Sequence, residues 1–185
     1  MKIQTLNEAL TKLQQNPQSK LVVRGATTLL TVSAIIQLIK SSKHELLVRQ
    51  KTEQILSGIP ERNWKAEINQ IYGYVKTNIR YMQDIDNVET VKTPRKMIEE
   101  IINRGQSFGD CDDHTLLLGA LLVNAGYQIQ ISIIVSTWNT TNDYNHIYLL
   151  VNIPMTSQWL ALDATAKSEP IGFEPAYRIR RLFSV

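Results

Sequence analysis

The feature that most constrains the fold is an apolar run that follows the only cysteine of the chain. From Leu116 to Val123 almost every position is apolar, whichever way it would face. A helix of this composition is hydrophobic all round and must be buried on every side. Asp110 is a good N-cap residue, and Gly126 is a natural C-terminal stop. The sequence therefore predicts a helix that runs through the core and carries Cys111 at its N-terminus.

The position of Cys111 at a helix start favours a reactive thiol. The unpaired N–H groups and partial positive charge of a helix N-terminus stabilise a thiolate and lower its pKa. Asp110, Asp112 and Asp113 act in the opposite direction, so a reactive thiol here needs a nearby cation such as an imidazolium. The alternative is a buried cysteine that serves only as a small apolar side chain.

Length and composition restrict the class of protein. The 185 residues suit one globular domain, with 43% hydrophobic residues and a formal net charge of +3. The longest uncharged run, Gly25 to Ile39, is too short and too polar to span a membrane. The basic segment Arg178–Arg181 is expected to be a solvated tail and gives little basis for nucleic-acid binding. One cysteine excludes an internal disulfide, and we expect a protein that is cytoplasmic when synthesised.

Apolar spacing predicts helices before Gly126 and strands after it. Besides the cysteine helix, the predicted helices are Leu6–Gln15, Leu29–Ile39, Glu45–Leu56, Trp64–Tyr81 and Pro94–Asn103. The predicted strands are Tyr127–Val135, with one buried face, His146–Val151 and Trp159–Asp163. This order predicts an α+β fold in which a small antiparallel sheet packs beside the cysteine helix. Residues 1–60 are predicted to be a helical extension of the same domain, and residues 61–185 its core with a short basic tail.

The last two predicted strands bring a histidine and an aspartate together. If Ile153–Thr156 forms the hairpin loop, Asn152 pairs with Ser157, and steps of two residues lead to a pair between His146 and Asp163. Directly opposed side chains have Cβ atoms about 4.5 to 5.5 Å apart, which lets the carboxylate hold the imidazole. A slip of one residue would send the two side chains to opposite faces.

These residues suggest a nucleophile, a base and an orienting group. Cys111, His146 and Asp163 would take those roles in that chain order. The main rival base is His114, three residues after the cysteine on the same helix and therefore its predicted surface neighbour. His44 lies before an early helix and is not a candidate. The alternative is that His146 is a polar residue at a sheet edge and Asp163 a turn former.

An acyl-transfer site also needs donors for an oxyanion. The backbone N–H of Cys111 is one candidate. Gln106, five residues upstream, could add a side-chain amide, although a solvated loop glutamine is the simpler interpretation.

A metal site is a further alternative. Asp110 and His114 share a helix face, and Cys111 and Asp113 lie beside them. One thiolate mixed with carboxylates matches no familiar tight site, however. We therefore predict neither a metal nor a cofactor.

Several segments resemble the transglutaminase-like superfamily, part of the wider papain-like group of cysteine enzymes. The resemblance covers about residues 68 to 165, and the acidic Gly-Asp-Cys-Asp-Asp form is most similar to versions in phage and bacterial genomes. The segments that carry it are Ile79–Tyr81, Thr93–Pro94, Gly109–Asp113, Asn124–Tyr127, His146 and Trp159–Thr165. The chain departs from the usual pattern at Ile147–Tyr148 and at Ala164, which leaves the shape of the substrate groove open.

The resemblance implies a Cys-His-Asp triad of Cys111, His146 and Asp163 that attacks an amide or ester carbonyl through a thioester. The sequence thus favours a peptidase or amidase with a peptide or amide substrate. Members of the family also include cross-linking transferases and proteins that have lost activity. The alternative is therefore a non-catalytic structural or assembly protein, for example a phage virion component that contacts other virion proteins.

Overall fold

The computed structural model describes residues 11, 20–24, 28–84 and 88–185. Its helices are α1 (Thr28–Ser42), α2 (Leu46–Leu56), α3 (Trp64–Asn78), α4 (Pro94–Arg104) and α5 (Cys111–Asn124). Its strands are β1 (Lys20–Arg24), β2 (Ile79–Tyr81), β3 (Val88–Lys92), β4 (Ser107–Gly109), β5 (Ile129–Ser136), β6 (His146–Asn152), β7 (Trp159–Leu162) and β8 (Tyr177–Ser184). The predicted helix Leu6–Gln15 lies outside the described residues except for Thr11.

The predicted α+β architecture is confirmed, with α5 as the central buried helix. Residues 113 to 122 of α5 are all buried. The N-cap prediction is also confirmed, because the Asp110 carboxylate accepts a hydrogen bond of 3.0 Å from the Asp112 backbone N–H. Gly126, with φ of 89°, turns the chain out of the helix in the left-handed conformation that favours glycine. Helices α1, α2 and α3 pack against one side of α5, and the sheet covers another.

The main sheet has four antiparallel strands in the order β7-β6-β5-β8. The prediction that Arg178–Arg181 is a solvated tail is wrong, because this segment lies within β8 and pairs with the central strand β5. Besides its arginines, β8 contains Ile179, Leu182 and Phe183, which supply apolar surface at the sheet. Because β5 is central, both of its faces are buried, and the predicted single buried face is also wrong.

Two smaller strand pairs lie in the first half of the fold. Strand β1 pairs with β3, and β2 pairs in parallel with β4. The helix predicted to end near Tyr81 ends at Asn78, and the residues after it form β2. Parallel pairing of β2 and β4 brings the chain that follows Tyr81 next to Gly109, where Met82 N donates to Gly109 O over 2.9 Å. This pairing places the end of β2 beside the start of α5.

The N-terminal helices share the core with the rest of the chain. Val32, Ile35 and Ile39 of α1 are at most 1% exposed and belong to the same apolar cluster as α5 and the inner face of the sheet. No described helix has both the length and the apolar character needed to cross a lipid bilayer.

Candidate active site

The start of α5 is fixed by a close approach between β4 and the first helical turn. A Cβ atom on Gly109 would lie 2.2 Å from Oδ2 of Asp113, so only glycine fits at this position. Asp113 is 2% exposed, and its Oδ1 accepts a hydrogen bond of 3.2 Å from the Lys92 backbone N–H of β3. The turn that carries Cys111 is therefore tied to two strands.

The thiol of Cys111 lies in an acidic and partly buried environment. Its Sγ is 3.9 Å from Oδ1 of Asp112. Burial, followed by the negative charges of Asp112 and Asp110, raises the pKa of Cys111 well above its ordinary value, although a hydrogen bond from the Ile147 backbone opposes this. The resting thiol is therefore protonated at neutral pH, because burial and the carboxylates outweigh the favourable helix start.

The imidazole of His146 is held by a buried carboxylate. His146 Nε2 lies 2.7 Å from Oδ2 of Asp163, whose residue is 4% exposed. The backbone N–H and hydroxyl of Thr165 donate to the other carboxylate oxygen over 3.0 and 2.6 Å. Burial alone would raise the pKa of Asp163. The pKa is nevertheless lowered, by the hydrogen bond and charge of His146 and by the two hydrogen bonds from Thr165. Asp163 is therefore a fixed, ionised acceptor that orients the ring.

The pairing register of β6 and β7 differs from the predicted one. Asn152 pairs with Trp159, and the hairpin loop is Pro154–Ser157, one residue further along the chain than predicted. The register is consequently displaced by two residues, so His146 and Asp163 are not directly opposed. An even displacement keeps both side chains on the same face. The two side chains therefore meet diagonally across the strands. The predicted contact between them is present although the predicted register is wrong.

Cys111 and His146 line the same cavity, which has a volume of about 200 Å³. One wall comes from α1, through Thr31 and Val32, and another from the end of the β5–β6 loop at Asn145. The remaining lining residues are Thr28, Tyr81, Gln83, Asp110, Asp112, Tyr144 and Ile147. A larger cavity of about 640 Å³ lies at the opposite end of α5 and is lined by none of the predicted triad residues.

Gln106 does not line the cavity that contains the thiol, and a different glutamine does. Gln83, which follows β2, lies among the lining residues together with Tyr81. Gln83 was not predicted from the sequence because its position depends on the parallel pairing of β2 with β4, which short apolar segments do not reveal.

His114 is buried and, contrary to the prediction, is not a surface neighbour of the thiol. Its residue is 2% exposed, and its two ring nitrogens face the backbone carbonyl oxygens of Asp110, at 2.7 Å, and Ile79, at 3.3 Å. Burial lowers the pKa of His114, which keeps the ring neutral at pH 7. A neutral ring has one N–H and donates to only one of these two carbonyl oxygens, but the buried ring faces the backbone on both sides, which argues against His114 as the rival base.

The four residues considered as an alternative metal site, Asp110, Cys111, Asp113 and His114, are not brought together as one set in the described part of the chain. The side-chain donor atoms of Asp110, Cys111 and Asp112 lie within 4.8 Å of one another. Asp113 instead faces Gly109 and β3, and burial, followed by the charge of Asp110, raises its pKa to about 8. The thiol therefore has two carboxylates as its nearest acidic neighbours.

Comparison with known proteins gives structural neighbours but no sequence relatives. No protein-family model and no curated protein matches this sequence. A proposed cysteine protease from Cytophaga hutchinsonii superposes with a TM-score of 0.50 and 13% identity, over 90% of this chain and 62% of that one. This chain thus spans less than two thirds of that protein.

Two further structures show weaker similarity. A proposed protease from Parabacteroides distasonis has a TM-score of 0.48 and 13% identity, over 68% of this chain and 25% of that one. Calcium-bound LapG of Legionella pneumophila has a TM-score of 0.45 and 21% identity, over 89% of this chain and 74% of that one. The likeness to the Cytophaga protein indicates that this chain has a fold similar to that of a proposed cysteine protease. None of the three is described as a phage protein.

Proposed function

We propose that the protein is a cysteine-dependent acyl-transfer enzyme, most simply a peptidase or amidase, with Cys111 as nucleophile, His146 as base and Asp163 as orienting group. The observation that carries this proposal is the shared cavity of Cys111 and His146, together with the 2.7 Å contact that fixes His146 through Asp163. The cysteine-protease-like fold supports the same reaction class.

The chemistry follows from the two nitrogens of the imidazole. Nε2 is bound to Asp163, so Nδ1 is the nitrogen that takes the thiol proton as Sγ attacks the carbonyl carbon. The tetrahedral intermediate collapses when Nδ1–H gives this proton to the leaving amine, and a thioester on Cys111 remains. Water, deprotonated by the same nitrogen, attacks the thioester and releases the acid, while an amine in place of water would give transfer.

The protonated resting thiol fits this sequence of steps. Because the pKa of Cys111 is raised, proton transfer to His146 accompanies attack and does not precede substrate binding. Negative charge on the substrate oxygen would be met by the backbone N–H of Cys111 and by the side-chain amide of Gln83, which replaces Gln106 as the candidate donor.

The proposal is tested by acylation of the only cysteine with p-nitrophenyl acetate. The wild-type chain should release nitrophenolate and carry an acetyl group on Cys111, detected by intact mass. His146→Ala should acetylate about 10²- to 10⁴-fold more slowly, the usual contribution of a general base. His44→Ala, which changes an exposed histidine, is the matched control and should behave as wild type. Equal rates in wild type and His146→Ala would contradict the proposal.

A second candidate is a non-catalytic assembly component, with a phage particle as one setting. The raised pKa of Cys111 favours it, since a protonated thiol is a poor nucleophile. This candidate predicts an inert cysteine in wild type and in His146→Ala alike, together with stable copurification with an assembled particle.

A further inference from the structure

The sheet carries a second buried cluster on the face of β6 that also bears the candidate base. The cluster consists of Ile134, Tyr148, Leu150 and Ala161. Residues two apart on a strand share a face, so His146 lies on the same side of β6 as Tyr148. The two rings are stacked, with centroids 6.1 Å apart and an angle of 24° between their planes. Tyr148 is 1% exposed, so the ring beside the imidazole is buried.

The hydroxyl of Tyr148 is anchored in turn by an ion pair. It donates a hydrogen bond of 2.7 Å to Oε1 of Glu174, and Nη1 of Arg180 donates to the same oxygen over 2.7 Å. Burial raises the pKa of Tyr148, which keeps the hydroxyl protonated as a donor. Arg180 belongs to β8. Three consecutive interactions therefore connect His146 to β8: His146 with Tyr148, Tyr148 with Glu174, and Glu174 with Arg180.

We infer that Tyr148 is a positioning residue for His146, with Glu174 and Arg180 holding Tyr148 in place. The bond from Nε2 to Asp163 fixes one end of the imidazole, but rotation about that axis would still swing Nδ1 away from the thiol. The ring of Tyr148, which is nearly parallel to the imidazole with its centroid 6.1 Å away, restricts this rotation because it limits the planes that the imidazole can adopt. The catalytic consequence rests on the proposed role of His146 as base, whereas the positioning itself does not.

The inference is tested by NMR of the full chain, through the Nε2–H proton that His146 shares with Asp163. The signal is assigned by its disappearance in His146→Gln. Tyr148→Leu removes the ring and should raise the exchange rate of this proton about three- to tenfold, as expected for loss of one aromatic pair. Tyr148→Phe keeps the ring and should restore most of the protection.

The matched control is Leu150→Ala, which opens the same cluster two residues further along β6. It should leave the Nε2–H exchange rate at the wild-type value, because the ring beside the imidazole belongs to Tyr148 and is kept in this variant. An unchanged rate in Tyr148→Leu, or an equal rise in Leu150→Ala, would overturn the inference. If Tyr148→Leu does not fold, Tyr148→Ile takes its place, because it also lacks the ring and suits a strand, and it should raise the rate by the same factor.

Acetylation of Cys111 separates this inference from the proposed function. If both hold, Tyr148→Leu lowers the acetylation rate as well as the protection of Nε2–H. If Nε2–H loses protection in Tyr148→Leu while the acetylation rate is unchanged in both Tyr148→Leu and His146→Ala, the proposed function fails and the positioning role stands. If protection is unchanged in Tyr148→Leu while His146→Ala acetylates slowly, the positioning role fails and the proposed function stands.

Discussion

Replacing Asp112 with asparagine should make Cys111 more acidic and more reactive. The substitution keeps the size of the side chain and removes a negative charge 3.9 Å from Sγ. At that separation, two unit charges interact by about 1 kcal/mol in water and about 4 kcal/mol at an effective dielectric constant of 20. The cavity is open to solvent, so we take about 1 to 2 kcal/mol for the repulsion between the thiolate and the Asp112 carboxylate. Its removal corresponds to about a five- to thirtyfold increase in the acidity of the thiol.

The effect is measured by alkylation with iodoacetamide as a function of pH, with the labelled fraction read by intact mass. Below the pKa of the thiol, the rate follows the thiolate fraction. A more acidic thiolate is intrinsically less nucleophilic, so we expect a net gain of about two- to sixfold at fixed pH. The midpoint of the profile should move to lower pH, because the folded pKa of Cys111 is raised in part by Asp112.

Glu61→Gln is the matched control, since it removes one exposed negative charge from the turn before α3. Its profile should superimpose on that of wild type. A profile of Asp112→Asn that also superimposes on wild type, or that moves to higher pH, would refute the assignment of the raised pKa to this carboxylate.

Two further substitutions test how the start of α5 is built. Gly109→Ala should lower the free energy of unfolding by about 1 to 3 kcal/mol, because its Cβ would overlap Asp113, whereas Gly73→Ala, with no atom in its way, should be neutral or stabilising in the same urea titration. Asp113 holds a proton up to pH about 8 in the folded chain but only to near its ordinary value of 3.8 when unfolded. The free energy of unfolding should therefore decrease as the pH rises from the unfolded pKa of Asp113 to its folded pKa. Asp113→Asn should make this decrease smaller when urea titrations at pH 5 and pH 8 are compared, and an equal decrease in the variant would contradict the raised pKa.

The sequence was sufficient for the parts of the site that local rules determine. The apolar run and Asp110 predicted the buried helix and its cap, because burial and capping depend on nearby residues. The contact between His146 and Asp163 was also predicted, although the register was wrong by two residues. A two-residue period makes the shared face insensitive to such an error, whereas the exact pairing depends on loop geometry.

Long-range pairing could not be predicted in the same way. The composition of β8 indicates a solvated tail, because Arg178, Arg180 and Arg181 dominate it, and only the edge of β5 provides a partner for it. The three residues of β2 continue the apolar spacing of the preceding helix, so the sequence predicts them as its last turn. Gln83 in the cavity and the buried His114 both depend on where β2 lies, so these side chains were misplaced or missed.

The edge position of β8 links the geometry of the site to a strand at the border of the sheet. Most of its side chains are exposed, and β5 is its only strand neighbour among the described residues. Segments of this kind open locally at a lower free energy than global unfolding requires. Opening would release Arg180 from Glu174, and it would also release Arg178 from the carbonyls of Asn139 and Thr141 in the loop that leads to the cavity. We therefore expect the contacts around the site to be lost at a lower temperature than the folded core around α5.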